Sequence, residues 1–311
     1  MKFGFISSFG TIDQHVALAR ESEEHGWDGF FTWDAINLSG EWAMPVYDPF
    51  AVLAAAATVT ERISLGAMVF AVPRHRPWEL AQRALTVDRL SGGRLVLPVG
   101  IGVTDDRGFT SVPGQTTGLK DRASLLDETL EWLERSWSGE EFEYQGEQIK
   151  TGPFRFPEQP VNGRIPVWPV GVWDAERPPV KNLRRTLRWD GIVPQLRGTA
   201  DDLTAEHITG LVSWLTAHKA ERTETTGPEG TATTASDATE PNGTNSPDDD
   251  RPFEVILQGK LSSDPAEASE QARTMADAGV TWWIDSWWDP ATVTPEILLE
   301  KVRQGPPSLS I

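Results

Sequence analysis

Asp34, His75, the glycine pair Gly100 and Gly102, and the basic run after Gly171 are the residues whose types and positions could do chemistry in this chain. Asp34 falls just past an apolar run, Trp27 to Trp33, and a carboxylate there can hold a ligand or move a proton. His75 lies between Arg74 and Arg76, whose charge disfavours protonation of the ring; a solvated basic loop is the favoured reading of that turn. Gly100 and Gly102 suit close approach of a flat ligand to a strand end, and suit an ordinary strand-end turn equally well. They are not a dinucleotide fingerprint, because the third glycine is missing and no helix opens directly after Gly100. Gly171-Val172-Trp173 precedes Arg177, Lys181 and Arg184, a pattern fit either for an anion on backbone N–H groups or for a solvated helix face. His15, His25, His207 and His218 fall on predicted helices and read as surface residues. Asp105 and Asp106 could bind a cation, but no glycine-bounded calcium loop surrounds them. No GxSxG or Ser/His/Asp order supports a hydrolase, and the absence of cysteine removes disulfides, thiolate metal sites and cysteine nucleophiles.

The elements that must position these residues alternate between strand and helix. Glu61 to Gly102 shows the pattern best. An apolar run through Ile63, Leu65, Ala67, Val69 and Phe70 ends at a proline-bounded loop. Pro77 then opens a helix whose inner face carries Leu80, Ala84, Val87 and Leu90, with Ala81 and Leu85 beside them. Ser91-Gly92-Gly93 stops that helix before a second strand, Leu95 to Val99. Two strands joined through one helix within so few residues should run parallel. Elsewhere Thr11 and Gln14 form a predicted capping box, with Ile12, Val16 and Ala19 as the inner face behind it. Asp48-Pro49 and Asp264-Pro265 are N-cap and first-turn pairs, and Leu126, Leu130, Leu133 and Trp137 align on another helix. Further strands are predicted at 2–7, 27–33, 165–172, 190–194, 253–261 and 281–285. Eight strands separated by helices or long connections predict one closed (β/α)₈ TIM barrel over residues 1–311, interrupted by a polar, core-poor insertion at 220–252 read as disordered. In such barrels sites sit at the C-terminal ends of the strands.

Composition narrows the class. A formal net charge of −18 argues against a nucleic-acid surface. No run of eighteen apolar residues exists and the first ten residues lack a signal peptide's apolar core, so a cytoplasmic protein with no membrane span is expected. Seven lysines stand against 21 arginines and 46 acidic residues, a balance that points to a salt-adapted, halophilic setting.

An ordered series of motifs also carries a resemblance. Asp48-Pro49-Phe50 before an alanine-rich helix, Thr60 to Gly66, the Arg74 to Trp78 turn, Val87 to Gly102, Ile165 to Gly171 and Arg188 to Gly191 resemble the bacterial luciferase-like family of flavin- or deazaflavin-dependent oxidoreductases. The likeness covers most of residues 1–200 and, more weakly, 253–304. It implies FMN or coenzyme F-420 in the barrel mouth, with the Arg74 to Trp78 and Leu90 to Leu97 segments leaning toward F-420. It implies that Met68, Val69 and Phe70 bulge against the ring, often through a cis non-prolyl peptide. It further implies that Gly100 and Gly102 line the ring, that Gly171, Val172 and Arg177 receive its phosphate, and that Asp34 touches the cofactor. Relatives commonly carry an acid–base histidine directly after that aspartate; here the residue is Ala35, which can neither accept nor donate a proton. A small-molecule substrate, hydride transfer or oxygen activation, and a homodimer complete what the resemblance implies. The alternative is a flavin-binding barrel that has lost catalysis with that histidine, leaving His75 as a substitute candidate.

Overall fold

The computed structural model describes residues 1–42, 44–199, 202–224 and 252–309. Local signals place the helix starts. Thr11 and Gln14 make the reciprocal capping box of α1 (Ile12–Glu24). It follows β1 (Lys2–Ile6) and precedes β2 (Gly29–Thr32). Asp48 caps α2 (Pro49–Ala57) through the Ala51 N–H, with Pro49 in the first turn. β3 (Ser64–Ala67) and β4 (Phe70–Ala71) follow, then α3 (Pro77–Ser91), closed by Gly92 in the left-handed conformation at φ 67°. Next come β5 (Leu97–Gly100), a short α4 (Arg107–Thr110) and α5 (Leu119–Ser136). A hairpin of β6 (Phe142–Gln145) and β7 (Lys150–Phe154) packs Phe142 and Phe154 on Trp132 of α5. The chain continues through β8 (Val167–Trp173), α6 (Val180–Thr186), β9 (Gly191–Leu196) and α7 (Ala205–Glu224). It ends with β10 (Glu254–Gly259), α8 (Pro265–Ala278), β11 (Trp282–Asp285) and α9 (Pro295–Gln304).

The strands form one parallel sheet in the order β3-β2-β1-β11-β10-β9-β8-β5-β4. β3 and β4 are two pieces of one stave, separated by Met68 and Val69, and a Leu65–Leu95 bridge joins that stave to the start of β5. The fold is therefore the expected TIM barrel. Inside it lies a core of Ile6, Phe31, Met68, Val96, Trp168, Val193, Ile256, Trp282 and Ile284. Phe31, Trp168 and Trp282 meet at centroid separations of 5.5–6.3 Å. Room for them comes from glycines: a Cβ on Gly4 or Gly29 would lie 2.6 or 2.7 Å from the Phe31 ring. The barrel centre is thus a packed plug.

Several expectations need correction. The inner face of α1 is His15, Leu18, Ala19 and Ser22, about one residue round from the predicted stripe, and Ile12 is exposed. Leu90 of α3 also faces water, while Asp88 and Ser91 are buried. Asp106, weighed above as a cation ligand, is the N-cap of the short α4. Of the insertion predicted at 220–252, residues 220–224 belong to α7 and 225–251 lie outside the described residues. Among the described residues, no helix is long and apolar enough to cross a membrane.

Candidate active site

Asp34 follows β2 at the C-terminal end of the barrel, and its side chain is 1% exposed. One carboxylate oxygen, Oδ2, accepts from the Ala71 N–H at 2.8 Å and lies 3.0 Å from His75 Nε2. The other accepts from Arg74 Nη2. Arg74 in turn donates through Nη1 to Asp106, whose oxygens also accept from the Ile36, Asn37 and Gly108 N–H groups. Burial resists ionisation of Asp34, but His75, Arg74 and the Ala71 N–H overcome it and hold the carboxyl below the usual range. The network ties the β2 end, the 72–76 turn and the start of α4 into one rigid block. This corrects two expectations. His75 is not a solvated loop residue, since its side chain is 9% exposed and bonded to Asp34. Asp106 is a buried anchor for Arg74, with the cap of α4, and no group of three or more metal-ligating side chains occurs among the described residues.

Beside this block the stave bends. The Met68–Val69 peptide is cis, the geometry the resemblance implied there. Met68 and Val69 both pack on the inner core, whereas Phe70 turns outward and stacks on Phe50 with centroids 4.6 Å apart. Phe70 therefore belongs to the layer between strands and helices and not to the mouth. Gly100 lies against Val69 and Val170: a Cβ there would come within 2.9 Å of Val69 Cγ2 and 3.3 Å of Val170 Cγ2. Strand alternation puts Val172 on the same side as Val170. Gly102 does other work. At φ +70°, with Phe109 2.5 Å from any added Cβ, it makes a tight turn whose carbonyl accepts from Arg122 Nη1.

Gly171 also departs from its expected place. It sits within β8 and faces α6, where a Cβ would strike Ile192 and approach Thr186. The Val172 N–H already donates to Asn182 Oδ1 at 2.6 Å, so the expected backbone cradle is occupied by the protein itself. Arg177 is exposed, its N–H on Asp174 Oδ1, and it sits on the loop between β8 and α6 with Lys181 close by in sequence. Of the residues singled out in the sequence, the mouth brings together Met68, Val69, Gly100 and Val172. Asp34 and His75 stand beside it, and Phe70, Gly102 and Gly171 face other layers.

A further wall comes from the aromatic run at the end of β11, where one tryptophan was expected to line the pocket. Trp288 packs edge-on against Phe9 and Trp33, at 6.4 and 5.7 Å, and lies near Trp42. Its indole N–H is buried with no partner among the described residues. Gln258 lies two residues beyond inward-facing Ile256 on β10 and lines a cavity of about 510 Å³ with Leu203, Met275 and Trp283. His15, expected on the surface, is buried, and its Nδ1 lies 2.6 Å from Ser7 Oγ. Burial pushes its pKa down to about 4, so it is neutral near pH 7.

A parallel eight-stave barrel with its irregular backbone and buried ion network at the C-terminal ends defines a TIM-barrel protein with one working face. The luciferase-like monooxygenase family model matches residues 1–175, more than half of the chain, and the chain belongs to that family. A Mycobacterium tuberculosis protein without an assigned activity is 33% identical over 197 residues, covering 57% of this chain and 67% of that protein. An F420-dependent glucose-6-phosphate dehydrogenase from Gordonia bronchialis is 28% identical over 170 residues, covering 52% of this chain and 49% of its own length. Among solved structures, monooxygenase RslO1 from Streptomyces bottropensis aligns at TM-score 0.70 and 15% identity, over 97% of each chain. The F420-dependent tetrahydromethanopterin reductase from Methanopyrus kandleri aligns at 0.68 and 15%, over 98% of each. The FMN-bound oxygenating component of 3,6-diketocamphane monooxygenase from Pseudomonas putida aligns at 0.59 and 16%, over 96% of this chain and 83% of that one. The structural likenesses show the fold. The relatives and neighbours named here with an activity are oxidoreductases that include both F420- and FMN-dependent proteins.

Proposed function

We propose that this protein is a flavin- or deazaflavin-dependent oxidoreductase that carries out hydride transfer or oxygen activation on a small organic substrate, with F-420 favoured over FMN. The observation that carries the proposal is the apolar rim that Val69, Gly100 and Val170 make on three neighbouring staves where the strand is interrupted at Met68 and Val69. Val69, Val170 and Trp288 form a partly buried apolar rim on the inner core that suits one face of a planar ring, and the Trp288 N–H has no partner among the described residues. The residues present fit a tricyclic ring better than they fit its phosphate. With the Val172 N–H bonded to Asn182, a phosphate would depend on Arg177 and Lys181 side chains. F-420 is favoured by the glucose-6-phosphate dehydrogenase relative and by the basic turn at Arg74 to Trp78.

When bound, the cofactor supplies the hydride or oxygen chemistry; this chain's residues hold, orient and dry it. Met68, Val69, Gly100 and Val172 would contact the ring. Asp34 would act from behind, fixing Ala71 and thereby the bulge. A small-molecule partner, a homodimer and a cytoplasmic setting belong to the same proposal. The test is fluorescence titration of purified protein with FMN and F-420 separately. Binding of one and not the other is expected; a folded protein that binds neither contradicts the proposal. The flavin-binding but non-catalytic alternative draws on Ala35 alone, and predicts binding with no turnover of reduced cofactor.

A further inference from the structure

Ala35 leaves no proton-transfer group where the resemblance places one, yet the structure supplies a histidine to the same cavity from another loop. A cavity of about 410 Å³ is lined by Asp34, Ala35, Tyr47, Arg74 and His75, with the start of α3 on its far side. Its acids have basic partners: Asp34 has Arg74, Asp48 has Arg83 at 3.6 Å, and Glu79 has Arg76 at 3.8 Å. His75 is different. Its Nε2 lies 3.0 Å from Asp34 Oδ2, while its Nδ1 has no hydrogen-bond partner among the described residues.

The carboxylate fixes which nitrogen carries the proton. An ionised carboxylate only accepts, so Nε2 must donate to it and Nδ1 keeps its lone pair in the neutral ring. Asp34 cannot turn away, because Arg74 holds one oxygen and the Ala71 N–H holds the other. The ring is held from its own backbone too, since the His75 N–H donates to the Val72 carbonyl at 2.9 Å. A carboxylate behind one nitrogen fixes the tautomer and the orientation of the ring.

We infer that His75, oriented by Asp34, is the acid–base group of this site, with Nδ1 as the atom that takes and returns the proton. The step is a proton transfer. The O–H bond of a substrate hydroxyl breaks as the Nδ1–H bond forms, and the electron pair stays on the oxygen. The ring becomes positive against ionised Asp34, and the reverse step returns the proton. The inference rests on the oxidoreductase proposal for what the proton transfer serves; the dyad itself does not depend on it.

The test uses the full-length apoprotein and two readouts. Two-bond ¹H–¹⁵N spectra of the five histidines, with His75→Gln as the assignment variant, should show His75 with Nε2 protonated and Nδ1 bare. Carbethoxylation with diethyl pyrocarbonate, mapped by peptide mass spectrometry, should modify His75 faster than buried His15. Asp34→Asn should slow the His75 rate about tenfold, because an amide no longer fixes Nε2 as the protonated nitrogen. Because that variant could disturb the 72–76 turn, Asp34→Glu serves as the conservative companion and should retain more of the rate. An Nδ1-protonated ring, or a His75 rate no faster than that of His15, would overturn the inference. Either result with a cofactor bound leaves the oxidoreductase proposal standing, while a bare Nδ1 in a protein that binds neither FMN nor F-420 removes that proposal alone.

Discussion

Arg94 and Arg74 both withdraw a guanidinium from bulk water, at opposite ends of the same barrel, and they are held in opposite ways. Arg94 lies below the strands. Its Nε donates to the Ser91 carbonyl, Nη1 to Thr60 Oγ1 and the Ile63 carbonyl, and Nη2 to the Ala57 and Thr60 carbonyls, at 2.7–3.2 Å. All five guanidinium donors are thereby used on neutral acceptors. Arg74 lies above the strands between two carboxylates, and its buried Nε has no partner among the described residues. His75 Nδ1 beside it is also without a partner among the described residues, as are the Trp288 N–H and Asp285 Oδ2 elsewhere at the strand ends; the Trp168 and Trp282 N–H groups, at the starts of β8 and β11, are unpartnered too. The closed set of bonds around Arg94 holds the lower end together. The open set around Arg74, with paired charges and a histidine ring, is what the proposed site would draw on.

Replacing Arg94 breaks that comparison most severely. Arg94→Ala leaves four carbonyls short of a donor and should cost about 3–5 kcal/mol of unfolding free energy, read by urea denaturation. A loss below 1 kcal/mol would mean that the lower end is not held this way. At the upper end the readout is rate instead of stability. His75→Gln should lower kcat about 10²–10⁴-fold, since that is the range general acid–base groups contribute. Its unfolding free energy should fall by no more than about 1–3 kcal/mol, the cost of taking one partner from a buried carboxylate that keeps Arg74 and the Ala71 N–H. An unchanged kcat, or a collapse in stability, would assign His75 to the scaffold.

Two buried titratable groups at the upper end sharpen the comparison through pH. His15 has a folded pKa of about 4, below the ordinary 6.5, so the unfolded chain binds the proton more readily. Stability is lost as pH falls from 6.5 toward 4, by about 3 kcal/mol at most. Asp285 behaves in reverse. Burial pushes it up to about 6, outweighing the Leu261 and Trp287 N–H groups that bond its Oδ1. Stability is lost there as pH rises from about 4 through 6, again by about 3 kcal/mol at most. Denaturation midpoints at pH 5 and pH 7.5 should therefore move apart for His15→Gln and Asp285→Asn: the first should gain relative stability at the lower pH and the second at the higher. Equal shifts at both pH values would dismiss titration as the cause. The smallest effect expected is that of salt. With a net charge of −18, the melting temperature should fall in dilute buffer and rise with added salt, and a flat response would remove the halophilic proposal.

The same contrast explains what the sequence made legible. Thr60, Ser91 and Arg94, which brace the lower end, are also members of the motif series that carried the resemblance. Their partners are backbone carbonyls set by the fold itself, so a local pattern suffices to recognise them. Helix starts were legible for a similar reason: Asp48-Pro49 and Asp264-Pro265 act within one turn. The upper end depends on direction. Once the stave bends at Met68 and Val69, alternation no longer says which way Phe70 points. Gly171 fails on a related count, because a glycine needed for packing against Ile192 reads identically to one needed for a ligand. The Asp34–Arg74–Asp106 network joins residues up to 72 positions apart, and no spacing rule reaches that far. His15 was misplaced because a buried histidine paired with Ser7 looks in sequence like any polar helix residue.

The most direct measurement is a cofactor titration on two variants placed at opposite ends, Gly100→Leu and Arg94→Lys, beside the natural protein. Gly100→Leu should weaken binding of the preferred cofactor at least about tenfold, as expected when a side chain fills the close-approach position. Arg94→Lys should melt earlier yet, while folded, bind as the natural protein does. Retained affinity in Gly100→Leu together with lost affinity in folded Arg94→Lys would contradict the division of the barrel into a holding end and a working end.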